Sequence, residues 1–164
     1  MKCSKLFILA AVLFFGTAYG QKSSKPKPTK EEVVYKDTDK VDKEVDFSKG
    51  GMDGFRKLLM LNTDLDKIDG YEDFPEEEKK KIQKLISENK PTPSVMLYTT
   101  LTFIIEPDGT MSNILAEGEN QSFNKEMERT LKTITDKWIP AEIKGKKVRF
   151  YYNVPIKMLS LIHI

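Results

Sequence analysis

The sequence predicts an α+β fold: a small antiparallel sheet of about three strands packed against one long helix, with one or two short helices before the sheet. Two periodic patterns support this class. Apolar and polar residues alternate in residues 97–105 and 148–156, the period of a half-buried strand. Between them, over residues 122–138, apolar residues recur every three or four positions, the period of an amphipathic helix. The sheet face and the helix stripe are therefore expected to cover each other.

The N-terminus predicts export. Lys2 and Lys5 precede a short apolar run, residues 6–16, and Ala18-Tyr19-Gly20 places small residues at the two positions that a signal peptidase reads. We expect a signal peptide over residues 1–20 that is cleaved after Gly20. An uncleaved anchor is the alternative, but the run is shorter than the roughly 20 apolar residues of a spanning helix.

Loss of the signal peptide would change the chemistry of the chain. It would remove Cys3, the only cysteine, so the mature chain would hold neither a disulfide nor a thiol nucleophile. It would also remove two lysines and no acid, which takes the formal net charge from +2 to zero. A neutral chain attracts nucleic acid and anionic lipid weakly, so we expect neither a nucleic-acid partner nor a stable membrane anchor.

The next segment, residues 21–46, is predicted to be a flexible charged leader. It is rich in lysine and acidic residues and cannot bury enough apolar surface to offset its ordering entropy. The alternative is that residues 32–35, which include its only apolar cluster, add a short strand to the domain. The folded domain is expected to span residues 47–158. Residues 159–164 would then form a tail, for which a non-native origin is one interpretation.

Two short helices are predicted before the sheet. The first carries an apolar stripe and is expected to stop at Asn62; the stripe consists of Met52, Phe55, Leu58 and Leu59. The second follows Pro75, with glutamates in its first turn and lysines after it, as the helix macrodipole favours. Pro91 and Pro93 end it.

A β-hairpin is predicted next. Residues 97–105 form its first strand, and Pro107-Asp108-Gly109 has turn chemistry because proline presets φ and glycine accepts a positive φ. The second strand, residues 110–117, alternates poorly. Its apolar residues Met111, Ile114 and Ala116 share one face only if a β-bulge shifts the register between them.

The long helix is predicted over residues 122–138. Its stripe has spacings of four, four, three and four, and it consists of Phe123, Met127, Leu131, Ile134 and Trp138. Trp138 completes the stripe, so we expect it to close the core and not to stack on a ligand.

The last strand, residues 148–156, carries Pro155. A proline lacks an N–H and is tolerated in a sheet mainly at an edge, so this segment is predicted to be an edge strand. An edge strand presents a surface that can pair with another chain. We therefore interpret the protein as a binding module and not as an enzyme.

No catalytic residue, metal site or cofactor is predicted. The acidic residues of segment 63–73 resemble a calcium loop that starts at Asp64. The fifth position of that loop is Ile68, which offers no side-chain oxygen, and the sixth is Asp69 where glycine is needed. A solvated acidic loop is the expectation. The glycines at 50, 51 and 54 lack the strand and the lysine of a phosphate loop. His163, the only histidine, cannot form a zinc site by itself.

Taken in order, several motifs resemble the C-terminal domain of TonB energy transducers, in the version of stand-alone, Bacteroidetes-type TonB-like proteins. The resemblance spans residues 47–158. Its motifs are Gly50-Gly51-Met52 with Phe55-Arg56-Lys57, Phe74-Pro75-Glu76-Glu77, residues 103–109, Phe123, Lys137-Trp138-Ile139-Pro140, residues 145–148, and Tyr152-Asn153-Val154-Pro155-Ile156. The connection over residues 63–93 is longer than in the family, so its equivalence there stays open.

The resemblance implies a periplasmic module that binds an extended peptide of an outer-membrane TonB-dependent transporter by β-strand addition, in support of transmembrane transport. The implied binding strand consists of Val148, Arg149, Phe150, Tyr151, Tyr152, Asn153 and Val154. Within it, Arg149, Tyr151 and Asn153 are the expected outward contacts. The alternative is a structural or assembly protein that forms a homodimer through the same edge.

Overall fold

The computed structural model describes residues 33–36 and 39–160. The predicted signal peptide, residues 21–32 and 37–38 of the predicted leader, and residues 161–164 of the tail lie outside that part. The elements in chain order are β1 (Val34–Tyr35), β2 (Asp46–Phe47), α1 (Gly51–Asn62), a 3₁₀ turn (Leu65–Lys67), α2 (Glu76–Ser87), β3 (Val95–Ile105), β4 (Met111–Glu117), α3 (Gln121–Thr133), β5 (Trp138–Ile139), β6 (Glu142–Ile143), β7 (Lys146–Lys147) and β8 (Arg149–Ser160).

The main sheet has four strands in the order β1-β8-β3-β4. β3 pairs with β8 in antiparallel fashion over its whole length, from Val95 opposite Ser160 to Ile105 opposite Phe150. It also pairs with β4 in antiparallel fashion, whereas the two residues of β1 run parallel to the start of β8. The predicted α+β class is confirmed, with the short β1 as a strand beyond the three expected.

The hairpin between β3 and β4 forms as predicted, including the bulge. Thr102 lies opposite Leu115 and Ile104 lies opposite Ser112, so two residues of β4 face one residue of β3. Asn113 is one of these two residues, and its φ of 50° is one that asparagine tolerates better than most side chains. Because of this shift Met111, Ile114 and Ala116 all pack toward the core.

The predicted long helix is too long at its C-terminal end. α3 begins after Asn120, whose side chain accepts the Phe123 N–H at 2.7 Å, and it ends at Thr133. Trp138 lies instead in β5, paired with Phe47 of β2. Its N–H donates to the Gly109 carbonyl oxygen at 2.8 Å, so partners from distant turns and strands replace the helical ones. The helix-like spacing of apolar residues extends past the end of α3, because all five residues of the predicted stripe are buried although Trp138 lies in a strand.

The core is built around an aromatic cluster on the side of the sheet that α1 and α3 cover. The Trp138 ring lies 5.1 to 5.5 Å, between centroids, from four other aromatic rings: Phe47, Phe55, Phe103 and Tyr152. Distances of this size are typical of favourable edge and tilted aromatic pairs. Trp138 therefore closes the core, as predicted.

The structure contains ordered segments beyond both predicted domain boundaries, residues 47 and 158. Val34 and Tyr35 pair with Arg149 and Phe150, which is the alternative that gave the leader a short strand. Further along, the backbone at Lys43 bonds to Glu142 in both directions, at 3.2 and 3.0 Å. Backbone hydrogen bonds therefore hold part of the polar leader, whose few apolar side chains would not be enough to order it. At the other end, residues 159 and 160 belong to β8.

Within the described residues, no helix combines the length and the apolar character needed to cross a lipid bilayer.

Candidate functional site

The outer side of β8, the side away from β3, is the candidate site. β1 covers this side only at Arg149 and Phe150. Among the described residues, no strand pairs with the outer side of residues 153–160. The predicted edge is therefore occupied by β1 at Arg149 and Phe150. Val148 lies outside β8 altogether, and its N–H donates to the Ala141 carbonyl at 2.9 Å.

Pro155 indicates which amides of β8 face outward. The β3–β8 ladder continues in constant register through the pair of Pro155 with Thr100, although proline has no N–H to donate. Its nitrogen is therefore expected on the outer side of the strand. Backbone amides alternate in direction along a strand, so we infer that the amides of Tyr151, Asn153 and Lys157 also face outward.

Arg149 does not have the outward role that was predicted for it. Its guanidinium donates two hydrogen bonds to the Glu106 carboxylate, each at 2.8 Å. Those bonds are the main reason that the pKa of Glu106 lies below its ordinary value, with Ser112 donating to the same carboxylate. The ion pair fastens the start of β8 to the turn that follows β3, because bidentate arginine–carboxylate pairs fix geometry strongly. Arg149 is thus part of the scaffold.

Tyr151 and Asn153, the other two residues predicted to contact a peptide, differ in their exposure. The Tyr151 ring lies 5.9 Å from the Lys36 ammonium, just beyond β1, so the N-terminal segment partly covers it. Asn153 is exposed on β8. A groove of 470 Å³ separates β8 from residues 39–45, and its lining on β8 ends at Asn153. Among the described residues, the N-terminal segment therefore flanks the outer side of β8 up to Asn153 and leaves it open beyond.

The acidic loop over residues 63–73 was expected to be solvated, but it makes hydrogen bonds to the start of α3. Asp69 accepts a hydrogen bond from the Asn120 side chain at its carbonyl, at 2.7 Å, and its N–H donates to the Ser122 hydroxyl at 2.8 Å. Glu72 accepts the N–H of Ser122 at 2.8 Å. These bonds fix the loop to the start of α3. Within the part of the chain that the structure describes, no group of three or more His, Cys, Asp or Glu residues is placed to hold a metal.

One buried carboxylate was missed by the sequence reasoning. Glu126 is 2% exposed and accepts hydrogen bonds from the Arg129 guanidinium at 2.6 and 2.7 Å. It also accepts the Asp64 N–H at 2.7 Å and the Thr130 hydroxyl at 3.1 Å. These bonds, that of Arg129 above all, lower the pKa of Glu126 to about 2. The Glu126–Arg129 spacing on α3 was the available signal, but it is also that of an ordinary surface ion pair.

A strongly perturbed carboxylate can mark an active site. Here each of its partners belongs to the protein's own scaffold, since Arg129 also donates to the Asn62 carbonyl at the end of α1, at 2.8 Å. Glu126 therefore joins α3 to the end of α1 and to the loop that follows it.

In comparisons with known proteins, no protein-family model, no curated protein and no solved structure matches the chain.

Proposed function

We propose that the protein is a binding module that takes up an extended peptide as an added strand on the outer side of β8, along residues 153–160. The observation that carries the proposal is the unpaired outer side of this segment in the described structure, with Pro155 in its middle. In strand addition, main-chain hydrogen bonds supply affinity and alternate side chains supply selectivity.

The opposite edge of the sheet is less suited to pairing. β4 carries the bulge at Asn113, and the Ala116 N–H donates to the Glu128 carboxylate of α3 at 3.2 Å. Bulges and inward-reaching charged side chains are the usual means by which proteins block an edge strand. Within the described sheet, β4 and β8 therefore differ, and of these two strands β8 is the one with unblocked backbone.

The motif resemblance suggests which peptide would bind. A TonB-like module would recognise a short segment of an outer-membrane TonB-dependent transporter in the periplasm. An interface of this size is usually weak, so we expect a Kd of about 1 μM or above, near −8 kcal/mol. The protein would support transmembrane transport through binding and would have no enzymatic step of its own.

A second candidate is a homodimer through the same edge. It is favoured by exposed apolar side chains of β3 and β8 on the face of the sheet away from α1 and α3: Met96, Tyr98 and Leu159. Two copies could pair their β8 edges and bring these side chains together.

Two variants of one residue test the edge. Lys157→Pro removes the inferred outward N–H of Lys157, whereas Lys157→Gln removes the charge and keeps the N–H. The probes are labelled synthetic peptides that tile the N-terminal segments of TonB-dependent transporters, and binding is measured by fluorescence anisotropy. We expect micromolar binding by the wild type and a loss of about five- to tenfold in Lys157→Pro relative to Lys157→Gln, because one hydrogen bond contributes about 1 kcal/mol.

The outcomes separate the two candidates. Equal affinities of the two variants, both folded by circular dichroism, would argue against pairing at this edge. A dimer that persists at low micromolar concentration in gel filtration, is dissociated by Lys157→Pro and takes up no peptide would favour the homodimer instead.

A further inference from the structure

A second groove, of 520 Å³, lies beside the part of β8 that we propose as the peptide site. We call it the apolar groove. Its walls come from α1 and the turn after it, from α3 and from β8; the side chains used below are Arg56, Met60, Leu65, Met127, Lys157 and Met158.

The apolar groove reaches the outer edge of the sheet. Four consecutive residues of β8, from Pro155 to Met158, line it. Successive residues of a strand face opposite sides of the sheet, so a lining of consecutive residues requires that the groove extend around the strand's edge. A peptide strand paired with β8 would therefore run along the mouth of the groove. Its alternate side chains, about 7 Å apart, would point toward the groove.

The walls of the groove are apolar and adaptable. Met60 is 71% exposed and Leu65 is 61% exposed, although both are large apolar side chains at its rim. Met127 and Met158 add two further thioether side chains. Methionine is flexible and polarisable, and it is common on surfaces that accept apolar side chains of varied shape.

The charge of the groove has one sign. Arg56 and Lys157 are its only charged lining residues among those described, and no carboxylate lines it. The ion pair of Arg56 with Asp53, at 3.7 Å, is exposed and leaves most of the guanidinium to solvent. The groove therefore combines an apolar floor with cations on two sides.

We propose that the apolar groove selects the peptide: the docked strand places a bulky apolar side chain in it, and an acidic residue within two positions of that side chain lies against Arg56 or Lys157. This inference rests on the proposed function, because the strand pairing brings the side chain to the groove. It adds a partner class, extended peptides with an apolar anchor next to an acid.

The test is a selection from a random library of displayed dodecapeptides on the chain expressed without residues 1–20. We expect enrichment of peptides with Leu, Met or Phe next to Asp or Glu. Their affinity should fall about tenfold in the double variant Met60→Gln/Leu65→Gln, because an apolar side chain loses its burial. Leu61→Gln is the matched control, since Leu61 is a neighbour on α1, is 66% exposed and does not line the groove.

A change in the peptide completes the design. Replacing the apolar anchor of an enriched peptide by alanine should lower its affinity for the wild type to the same extent, and the groove double variant should then cause no further loss. Additive losses would show that the anchor and the groove do not meet.

Three results would overturn the inference, and they differ in what they leave standing. Enriched peptides that lose affinity in Lys157→Pro but not in the double variant would remove the groove and keep the strand pairing. Peptides that depend on the groove but bind Lys157→Pro and Lys157→Gln equally would remove the strand pairing, and the inference with it. A library with no enriched peptide would remove both.

Discussion

Replacing Glu126 by glutamine should lower the free energy of unfolding by more than a typical substitution on a helix surface does. The glutamine keeps an oxygen for the Asp64 N–H but loses the charge that holds the Arg129 guanidinium at 2.6 Å. Arg129 would then keep only neutral acceptors: the glutamine amide oxygen, the Asn62 carbonyl and the Thr130 hydroxyl. The fastening of α3 to the end of α1 is therefore the feature that this variant tests.

The magnitude follows from the pKa. A fall in the pKa of Glu126 from 4.5 to about 2 on folding corresponds to about 3 kcal/mol of stabilisation of its charged form. The Arg129 side chain is partly exposed, and solvent screens that end of the pair. We therefore expect the free energy of unfolding to fall by about 2 to 3 kcal/mol at pH 7, in the range of buried hydrogen bonds to charged groups.

The pH dependence has a definite sign. The folded pKa of Glu126 lies below its unfolded value, so the stabilisation is complete above pH 4.5 and is lost as the pH falls toward 2. The difference between wild type and Glu126→Gln should be constant from pH 6 to 7 and shrink to about half at pH 3. Urea unfolding, followed by tryptophan fluorescence at each pH, measures it.

A matched control is Glu77→Gln, which removes an exposed carboxylate whose ion pair with Lys80 is 3.8 Å long. It should change the free energy of unfolding by less than about 0.5 kcal/mol. The reasoning would be refuted if Glu126→Gln cost no more than Glu77→Gln, or if the cost of Glu126→Gln were the same at pH 3 and pH 7.

Three further predictions concern the scaffold of the site. Gly109→Ala should cost about 3 kcal/mol or more, because φ is +83° and a Cβ would lie 2.3 Å from the Trp138 carbonyl oxygen; Gly145→Ala, with φ of +73° and open space, should cost about 1 kcal/mol in the same urea titration. Trp138, the only tryptophan, should emit at short wavelength when folded and shift to the red on unfolding, and an emission maximum typical of exposed tryptophan in the native protein would contradict its burial. Glu106→Gln should cost about 1 to 2 kcal/mol by weakening the bidentate pair with Arg149, and an unchanged unfolding midpoint would show that this pair does not hold the start of β8.

The elements that the sequence predicted well are those whose conformation is determined by a local pattern of residues. The alternation in β3, the Pro107-Asp108-Gly109 turn and the stripe of α3 each depend on neighbouring residues only. The bulge at Asn113 could also be predicted, because it alone places Met111 and Ile114 on the same face.

The elements that were missed depend on distant partners. Nothing near Trp138 in the sequence shows that its N–H will bond to Gly109, so the helical period was extended too far. β1 was only the alternative interpretation of residues 32–35, because its two residues pair with β8 and have few apolar neighbours of their own. The apolar groove was missed since Met60 and Leu65 come from α1 and the following turn, and they meet Met158 only in the folded chain.

The unequal edges of the sheet also bear on assembly size. Two copies joined through β8 would each have used the outer side of residues 153–160, leaving β4 outermost on both sides. Because β4 is interrupted at Asn113 and its Ala116 amide is held by Glu128, a third copy would find no template there. Association through the β8 edge should therefore stop at a pair, because the β4 edge does not extend it.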